Sequence, residues 1–482
     1  MPDITSLFPF PPKPGQARAA KMLDHFIQDP GGKAFLLKGY AGTGKTTMIY
    51  ALIRWLERQN IRFRLLASTG RAAKVLSDIT ERMASTIHSH IYKFTDLNQD
   101  LEEMADNSEK AYSNKYPAQL CLLFEMTPII STATTIYIVD EASMVSDLID
   151  RAPTFAKYGS NNLLKDLFDF DKNSKFIFVG DPCQLPPVGQ KFSPALSKQY
   201  LFEEYNIEAE EFELTEIIRQ ESQSGILETA TRLRSYYFQP PANSWPPLFP
   251  FRNKDNISLH PSHASLITAY ISNLKNNGYV NSTMVCQSNA LCHEINKMVK
   301  ANVTSHAIEL RAGDLLMVTQ NNYIVDLVNG DLVEILDVGA SEYRAGMQFI
   351  EVEVRELASK EIYRTLLIND ILISTAQNIN EAQHRSLFID YYKRMKELGI
   401  KQKSQAFKDG MLKDPYLNAL RAVYGYALTC HKTQGGEWDE VYLYTDNKTT
   451  GIPQPGVYQW LYTAVTRAKK SLHCVDDWYM KQ

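Results

Sequence analysis

The stretch GYAGTGKTT, residues 39–47, constrains the fold of this chain more than any other part of its sequence. It matches G-x-x-x-x-G-K-[ST], follows the short apolar run AFLL at 34–37, and leads into residues that suit a helix. A glycine-rich loop between a strand and a helix directs backbone N–H groups at a polyphosphate. In this interpretation Lys45 reaches the β- and γ-phosphates, and the Thr46 hydroxyl is a Mg²⁺ ligand. The loop predicts a phosphate-binding α/β domain, but a kinase, GTPase, transporter or motor could each carry it.

The composition is that of a globular chain large enough for two or three hydrophobic cores, because its 482 residues are 44% hydrophobic and 22% charged. Its 51 basic and 55 acidic residues give a net charge of −4, so a nucleic-acid partner would need a local basic groove. No charged-then-apolar signal sequence and no bilayer-length apolar run is found, so we expect a cytoplasmic protein without a membrane partner. A reducing compartment also suits cysteines that lack C-x-x-C pairing and so disfavour a zinc or disulfide scaffold. They are Cys121, Cys183, Cys286, Cys292, Cys430 and Cys474.

Continuous apolar runs alternate with helix-compatible stretches along most of the chain. This alternation is typical of parallel sheets wrapped by helices. The predicted strands are RLLAST at 64–69, TIYIVD at 135–140, KFIFVGD at 175–181, MVCQS at 284–288 and YALTC at 426–430.

Residues 313–370 break this pattern with short strands around an Asn329-Gly330 turn signal. They predict a small antiparallel barrel inserted in the α/β protein. Residues 381–414 then predict a charged helix whose apolar stripe packs on the domain beneath it rather than on a partner. The stripe is Leu387, Phe388, Tyr391, Tyr392, Met395 and Leu398.

Two adjacent carboxylates follow the apolar run IYIV, at the edge where open α/β sheets bind their ligands. Asp140 suits a Mg²⁺ ligand, and Glu141 suits a base for an attacking water. A helix start capped by Ser143 is the alternative, but it is weakened by the phosphate loop. Gln184, in FVGDPCQLPPVG, is an amide that could orient water or sense the γ-phosphate.

Two arginines lie far downstream of the phosphate loop, Arg219 in LTEIIRQ and Arg467 in LYTAVTRAKKSL. Charge on a transferred phosphoryl group is well met by an arginine fork from a facing domain. A kinase or small GTPase would not need them, and either arginine could instead be a surface ion-pair partner. Together they suggest a nucleotide cleft between two domains.

Eight motifs now stand in order along the chain: GYAGTGKTT, ASTGRAAKVLS, ASTIHSHIY, IVDEASMV, VGDPCQLPPVG, LTEIIRQ, GYALTCHKTQGGEW and YTAVTRAKKSL. This set resembles the superfamily 1B DNA helicases of the RecD-like and Dda-like group. The resemblance runs from about Gln16 to Cys474 and is weakest over 93–132 and 236–280.

The resemblance implies two RecA-like motor domains with parallel sheets and 5′-to-3′ movement on single-stranded DNA, driven by ATP hydrolysis in the cleft between them. The implied divisions are 1–92 and 133–212 for the first RecA-like domain, 93–132 for a wedge insertion, 213–312 and 416–482 for the second RecA-like domain, and 313–415 for an SH3-like barrel plus helix.

The same resemblance implies ATP and Mg²⁺ as cofactors. Gln16 is similar to the glutamine that reads the adenine edge, and a GTPase N-K-x-D motif is absent, so ATP is favoured over GTP. Ile218 departs from the family, because many members have there an aromatic that stacks on adenine. The implied catalytic residues are Lys45, Glu141, Gln184, Arg219 and Arg467; the Mg²⁺ ligands are Thr46 and Asp140; the nucleotide-binding residues are Gln16, Gly39, Ala41, Gly42, Thr43, Gly44, Lys45, Thr46, Thr47, Gly436 and Glu437.

A translocase must hold phosphates without reading sequence, using small hydroxyls, backbone amides and a few cations. The motifs place such side chains after predicted strands in both halves of the chain. Taken singly, the histidines would more often be structural and the lysine an ion-pair partner. The predicted DNA contacts are Ser68, Thr69, Arg71, Thr86, His88, Thr429, His431 and Lys432.

Unwinding also needs a wedge, and residues 93–132 stand where relatives insert one. Its acidic half, DLNQDLEEMADNSEK, is expected to be a solvated helix or loop, and QLCLLFEM is expected to form a strand. The wedge residue itself stays unassigned. The aromatic stretch at 236–251 could stack bases, but packing on its own domain is the stronger expectation.

The expected partners are single-stranded DNA, duplex junctions and replication or repair proteins, with the motor acting as a monomer. Two alternatives stay open. One is a single-stranded-DNA-dependent ATPase that translocates without separating strands; the other is a non-catalytic, ATP-switched subunit of a nuclease or repair complex. An RNA substrate is also open, because phosphate grips do not report the 2′-hydroxyl.

Overall fold

The computed structural model describes residues 3–109, 120–129, 133–149, 156–217, 225–241, 247–304 and 309–481. Every helix in these ranges is too short or too polar to cross a membrane. The six cysteines are buried and free.

Nineteen strands lie within these ranges. They are β1 Ala34–Gly39, β2 Phe63–Ala67, β3 Ala84–Thr86, β4 Tyr92–Leu97, β5 Leu122–Met126, β6 Ile136–Asp140, β7 Ala156–Tyr158, β8 Lys175–Gly180, β9 Ala209–Leu214, β10 Ile257–His260, β11 Ser282–Cys286, β12 Leu315–Val318, β13 Leu332–Arg344, β14 Met347–Glu356, β15 Ile362–Ile368, β16 Ala422–Tyr424, β17 Ala427–Thr429, β18 Trp438–Leu443 and β19 Ala468–Val475.

The same ranges hold fifteen α-helices. They are α1 Pro14–Gln28, α2 Lys45–Arg58, α3 Gly70–Thr80, α4 Ile87–Ile91, α5 Leu101–Glu109, α6 Leu163–Phe170, α7 Lys198–Tyr205, α8 Gly225–Phe238, α9 His263–Asn277, α10 Asn289–Val303, α11 Asn369–Ile373, α12 Glu381–Glu397, α13 Gln405–Lys413, α14 Asn447–Thr450 and α15 Gly456–Val465.

The first sheet is six-stranded and parallel throughout, in the order β3-β2-β6-β8-β1-β9. Its apolar side chains alternate between two faces, as in β1, where Phe35 and Leu37 join one buried cluster and Ala34 and Leu36 another. Helices cover both faces, which is why these strands are continuously apolar. Because β6, β8 and β1 are neighbours, their carboxyl ends meet at one edge.

The second sheet is five-stranded and also parallel, in the order β10-β19-β18-β11-β17. Its core takes in Tyr40, Cys183 and Leu185 from the first half of the chain. The two parallel sheets confirm the predicted α/β fold class, and each predicted strand lies within two residues of its expected bounds. In the aromatic stretch at 236–251, Tyr236, Tyr237, Phe249 and Phe251 pack in the core of the second sheet, whereas Phe238 is 55% exposed. Residues 242–246 lie outside the described ranges.

The third sheet is antiparallel, in the order β15-β14-β13-β12-β16, and encloses an apolar cluster of its own. Gly330 has φ of +98°, which accounts for the turn signal before β13. The edge strand β15 meets Leu420, just before β16, through a parallel bridge from Leu367. The predicted antiparallel insertion is therefore present, while its SH3-like character stays a prediction.

The predicted wedge region contributes β4 and β5 to a small sheet of order β4-β5-β7. The strand expected in QLCLLFEM is β5. The acidic stretch does contain a helix, α5, but the expectation that it is solvated was wrong: Leu101 is fully buried and Ala105 nearly so. The last residue of the acidic stretch, Lys110, lies outside the described residues.

The single helix predicted over 381–414 is two helices, α12 and α13. The break falls at Leu398 and Gly399, whose φ of +73° a helix cannot continue. Leu398 is 69% exposed and does not belong to the buried stripe, whereas the stripe residues Leu387 to Tyr392 are buried.

The two insertions share one hydrophobic cluster, which we call the insertion junction. Leu97, Leu101 and Ala105 of the first insertion are buried in it together with Phe388 and Tyr391 of the second. At its rim the Lys408 ammonium lies 3.0 Å from an Asp96 carboxylate oxygen, and Gln402 accepts a 2.8 Å bond from the Leu101 amide. The stripe therefore packs partly on the other insertion, rather than only on the domain beneath it.

Some strands do not follow the predicted domain boundaries. Strand β4 begins at Tyr92 and continues into the predicted wedge insertion. Strand β9 ends at Leu214, two residues past the boundary at 212, and β16 belongs to the insertion sheet although it follows residue 415. The domain divisions otherwise stay predictions.

Candidate functional site

The phosphate loop joins β1 to α2 at the carboxyl edge of the first sheet. Gly42 and Gly44 have φ of +77° and +80°, which a side chain would strain. A Cβ on Gly39 would lie 2.7 Å from the Thr43 hydroxyl, so this position must stay small. No side chain caps the N-terminus of α2 at Gly44, and its first amides are left for an anion.

The loop's lysine and threonines occupy the expected places. Lys45 begins α2, and its ammonium donates to the carbonyls of Gly39 at 2.8 Å and Tyr40 at 3.2 Å. Thr43 is buried and donates to the Tyr40 carbonyl at 2.8 Å, while Thr46 and Thr47 are half-buried in the first turn of α2. Lys45 is thus tied only to its own loop and can reach an anion held there.

The predicted acid pair ends β6. Burial raises the pKa of the Asp140 carboxyl, the neighbouring Glu141 raises it further, and Lys45 opposes the rise. Glu141 has φ of +49°, a left-handed conformation that is costly for this residue type. Such strain at the carboxyl edge of a sheet is typical of a residue held in place for function.

The donor set fits a Mg²⁺ ion that is also held by a nucleotide. Thr46 offers a hydroxyl and Asp140 a carboxylate, both hard oxygen ligands. Within the described residues, no group of three or more His, Cys, Asp or Glu side chains could hold a metal alone. Mg²⁺ needs few protein ligands when phosphates and water supply the others.

The loop after β8 is held by the second half of the chain. The Leu185 amide donates to the Thr463 hydroxyl at 2.9 Å, and the Leu185 carbonyl accepts from Gln434 at 2.9 Å. The Gln184 carbonyl accepts from Gln459 at 2.9 Å, and the Gln184 side-chain oxygen is buried without a partner. This loop therefore lies between the sheets, with the Gln184 amide available to a ligand.

A second carboxylate at this edge, Asp181, is fully buried. The Tyr462 hydroxyl donates to it at 2.6 Å and accepts from the Ala41 amide of the phosphate loop at 3.0 Å. Burial raises the pKa of Asp181, while Lys45 and the Tyr462 bond oppose the rise. The phosphate loop, β8 and α15 thus meet at one tyrosine hydroxyl.

Of the two predicted arginines, Arg467 is buried at the end of α15. Its guanidinium donates to the carbonyls of Thr463 at 3.0 Å and Gly436 at 3.1 Å, both in the second half of the chain. Arg219 and Ile218 lie outside the described residues. The arginine pair at a nucleotide cleft therefore stays a prediction.

Gln16 lies in the first turn of α1 and is buried. Its side-chain oxygen accepts from the Lys13 amide at 3.1 Å, and its buried side-chain nitrogen has no partner. A buried, unpaired amide donor fits an edge-reading role for a base. Gly436 is buried beside Arg467, while Glu437 is exposed.

The predicted DNA contacts fall on two matching turns. Thr86 ends β3 and Thr429 ends β17, each with φ of −73° and ψ of 153°, and each is followed by a helical turn with a histidine two residues on. The Thr86 hydroxyl caps α4 through the Ser89 amide at 3.1 Å, whereas Thr429 makes no such cap bond.

Both histidines are held neutral by burial, which lowers the pKa of His88 and of His431. His88 packs edge-on against Tyr158 with ring centroids 5.1 Å apart. A neutral imidazole can donate a hydrogen bond to a phosphate but adds no charge.

The remaining predicted DNA contacts cluster near the same edge. Thr69 caps α3 through the Ala72 amide at 3.2 Å, and the Ser68 hydroxyl is buried without a partner. The Arg71 guanidinium lies 4.5 Å from the Trp438 ring centroid, across the boundary between the two halves. This position does not support the expected DNA contact of Arg71, which stays a prediction. Lys432 donates to the Gln377 side chain of the insertion.

Sequence reasoning missed the side chains that join the two halves: Tyr40, Asp181, Gln434, Gln459, Tyr462 and Thr463. All but Gln459 lie in the quoted motifs, but roles were predicted only for residues whose side chains have known phosphate chemistry. A tyrosine inside a run as apolar as WLYTAV is predicted to be a core residue.

Two family models match the chain in the regions just described. An AAA domain matches residues 13–236, and a UvrD-like helicase C-terminal domain matches residues 424–475. The first match contains the phosphate loop and all six strands of the first sheet, and the second contains α15 and strands β17, β18 and β19 of the second sheet.

Known proteins are similar over part or most of the chain. The ATP-dependent RecD2 DNA helicase of Deinococcus radiodurans is 26% identical over 213 residues, 44% of this chain and 22% of that protein. The RecBCD enzyme subunit RecD of Buchnera aphidicola is 22% identical over 476 residues, 91% of this chain and 69% of that protein. The chain thus spans about a fifth of the length of the first. These matches and the two family models confirm the resemblance to RecD-like superfamily 1 helicases.

Among solved structures, one of two coordinating Pif1 helicases that unwind forked double-stranded DNA is similar, with a TM-score of 0.47 and 16% identity. The similarity covers 95% of this chain and 91% of that one.

Proposed function

We propose that this chain, which carries both halves of a RecD-like helicase motor, is an ATP-dependent helicase that moves 5′-to-3′ on single-stranded DNA. The observation that carries the proposal is the contact between the halves: the phosphate loop of the first sheet is bonded to Tyr462 of the second. A nucleotide in this loop would act on both halves at once. The division into two RecA-like domains with two insertions is part of the proposal.

Hydrolysis would be carried out by residues at the carboxyl edge of the first sheet. Lys45 would neutralise the phosphates, Glu141 would accept the proton of the attacking water, and the Gln184 amide would orient that water. Arg467, with Arg219, would stabilise the charge on the transferred group. Thr46 and Asp140 would hold Mg²⁺, which screens phosphate charge when bound. Gln16 would read the adenine edge, with Gly436 and Glu437 on the facing side.

Grip on DNA would come from the two matching turns at Thr86 and Thr429. Each offers a hydroxyl and a neutral imidazole at the end of a parallel strand, and Lys432 adds a charge at the second. These groups suit phosphates and carry no sequence information. Movement of one half against the other would change the distance between the two grips, so cycles of closure and release would yield steps.

Strand separation would use the first insertion. Its helix α5 is buried against α12 of the second insertion at the insertion junction. The β4-β5 region would therefore be pushed by the second half of the motor as it moves. This arrangement favours a helicase over a translocase that lacks a wedge.

The test is strand displacement on two forks that differ only in the polarity of the single-stranded tail. Opening from the 5′ tail alone, dependent on ATP and absent in Lys45→Ala, is the expected result. We expect Lys45→Ala to lower the ATPase rate by about a hundredfold or more, as for other lost transition-state donors, and to leave the unfolding midpoint unchanged because Lys45 bonds only its own loop.

Each other outcome removes part of the proposal. Opening from the 3′ tail would contradict the polarity. DNA-stimulated hydrolysis without opening from either tail would leave a translocase. Slow hydrolysis that DNA does not change would leave an ATP-switched subunit.

A further inference from the structure

Within the described residues, the Tyr462 hydroxyl is the only group of α15 that hydrogen-bonds both the phosphate loop and Asp181, the carboxylate that follows β8. It accepts from the Ala41 amide at 3.0 Å and donates to an Asp181 oxygen at 2.6 Å. The other oxygen of Asp181 accepts from the Cys183 amide at 2.9 Å. Asp181 therefore fixes the direction in which the hydroxyl proton points, and the hydroxyl's lone pair faces the loop.

The ring of Tyr462 has no freedom to leave this place without the rest of α15. It is 2% exposed and belongs to the core of the second sheet, as do its helix neighbours Leu461 and Val465. Its hydroxyl reaches Ala41 and Asp181 only while the second sheet lies against the first. The two bonds thus exist in the closed arrangement and must break when the halves separate.

The phosphate loop makes a second contact with the other half through Tyr40. The ring of Tyr40, next to Ala41, is buried in the core of the second sheet, with the Arg234 guanidinium of α8 4.0 Å from its centroid. The backbone of the loop is therefore held from outside on one side by a packed ring and on the other by a hydroxyl. The Tyr40 side chain packs there and its hydroxyl donates to Glu213 of β9, whereas the Tyr462 hydroxyl bonds the backbone of the loop itself.

We propose that Tyr462 is a positioning residue for ATP hydrolysis: in the closed cleft its hydroxyl orders the Ala41 segment of the phosphate loop and Asp181, so that the loop reaches its reactive form only when the two halves are together. This inference rests on the proposed ATPase function and deepens it. Tyr462 would not touch the reacting atoms. It would act through the loop amide and through the β8 carboxylate beside Lys45.

The test uses Tyr462→Phe in the full chain, because phenylalanine keeps the packed ring and removes only the hydroxyl. The matched control is Tyr479→Phe, which removes another fully buried hydroxyl of the same core, one bonded to the Thr445 carbonyl at 3.0 Å and away from the cleft. Two readouts are needed: hydrogen exchange of the peptide spanning residues 36–50, and the ATPase kcat and KM with single-stranded DNA present.

We expect exchange of the loop peptide to be about tenfold faster in Tyr462→Phe and unchanged in Tyr479→Phe, the size that loss of one hydrogen bond gives. The DNA-stimulated kcat should fall about tenfold, with KM changed less than about threefold, because the loop still binds nucleotide but is ordered less often. If Tyr462→Phe does not fold, Asp181→Ala removes the hydroxyl's acceptor and should speed exchange of the same peptide.

Three results would overturn the inference. One is exchange in Tyr462→Phe equal to that of the unsubstituted chain; another is an equal effect in Tyr479→Phe; the third is faster exchange with an unchanged kcat, which would make the contact structural only. If the unsubstituted chain hydrolyses no ATP, the proposed function fails, and the exchange comparison still decides whether Tyr462 orders the loop.

Discussion

The two halves of the molecule meet in several places, and two of these places are joined by different chemistry. At the nucleotide cleft, single hydrogen bonds join Tyr462, Thr463, Gln459 and Gln434 to the phosphate loop and the β8 loop, beside the buried ring of Tyr40. At the insertion junction a shared apolar cluster does most of the joining, with polar pairs such as Lys408 and Asp96 at its rim.

The difference decides which contact can cycle. A hydrogen bond is directional and is replaced by bonds to water or a ligand after a small movement, so its net contribution is about 1 kcal/mol. Apolar burial has no direction and is lost only as area is exposed, at about 25 cal/mol per Å². We therefore expect the cleft to open and close while the insertion junction stays together.

The largest effect should come from removing the proposed base in the cleft. Glu141→Gln keeps the shape of the side chain and removes its basicity, so ATP hydrolysis should fall by about 10²- to 10⁴-fold. Nucleotide binding, followed by a fluorescent ATP analogue, should remain. Hydrolysis within threefold of the unsubstituted chain would assign the base to another residue.

Breaking the insertion junction should separate hydrolysis from strand opening. Leu101→Ala removes a fully buried side chain from the junction, which costs about 2–5 kcal/mol for large-to-small core changes. Strand displacement should then slow by about tenfold, while DNA-stimulated ATPase stays within twofold. The control is Leu398→Ala, since Leu398 is 69% exposed at the end of α12; equal slowing in both variants would contradict a role for the junction.

The choice of nucleotide base tests the polar chemistry of the cleft. Gln16→Ala removes a buried amide whose nitrogen has no protein partner, and should reduce the preference for ATP over GTP in kcat/KM by about tenfold, the effect of one hydrogen bond. Gln28→Ala, at the exposed end of the same helix, should leave the preference unchanged. An unchanged ratio in Gln16→Ala would remove the base-reading role.

The smallest effect should come from the rim of the insertion junction. Partial burial raises the pKa of the Asp96 carboxyl, but bonds from Lys408 and the Leu97 amide lower it more, so its net pKa lies below the usual value. A carboxyl with a depressed folded-state pKa stabilises above its unfolded pKa of about 3.9 and loses that contribution as pH falls through the folded value.

Lys408→Met should therefore lower the free energy of unfolding at pH 6 by less than about 1 kcal/mol, as is typical of partly exposed ion pairs, and the unfolding midpoint should fall slightly. The difference between the two proteins should shrink below about pH 4. Thermal unfolding measured from pH 3 to pH 6 checks this. A difference that grows as pH falls would contradict the assigned pair.

The sequence predicted most of what has a fixed local pattern. The phosphate loop, the acid pair and the parallel strands follow from glycine spacing and apolar runs, and each is present. Helix α5 was expected to be solvated because its charges were visible in the sequence, whereas the partner that buries Leu101 lies almost 300 residues later. The break between α12 and α13 was missed because the apolar stripe continues to Leu398.

Contacts between the halves could not be predicted either, because the two partners of each contact lie far apart in the sequence. Tyr462 lies in a run that is buried on every side, so nothing local separates a tyrosine that packs from one whose hydroxyl crosses an interface. For Arg71 the sequence predicts a DNA contact, which stays a prediction, but it gives no sign that the guanidinium lies on Trp438 of the other half.

The matching turns at Thr86 and Thr429 have a further consequence for how a motor of this kind could have a direction. Two grips with the same backbone dihedrals would hold a strand equally well, and a ratchet with equal holds on both sides moves nowhere on average. The inequality must come from what surrounds the turns: the Thr86 hydroxyl is already engaged in capping α4, while Thr429 makes no cap bond and has Lys432 three residues on. The direction of such a ratchet would then be set by the Thr429 hydroxyl and the Lys432 ammonium, and not by the turn geometry that both halves share.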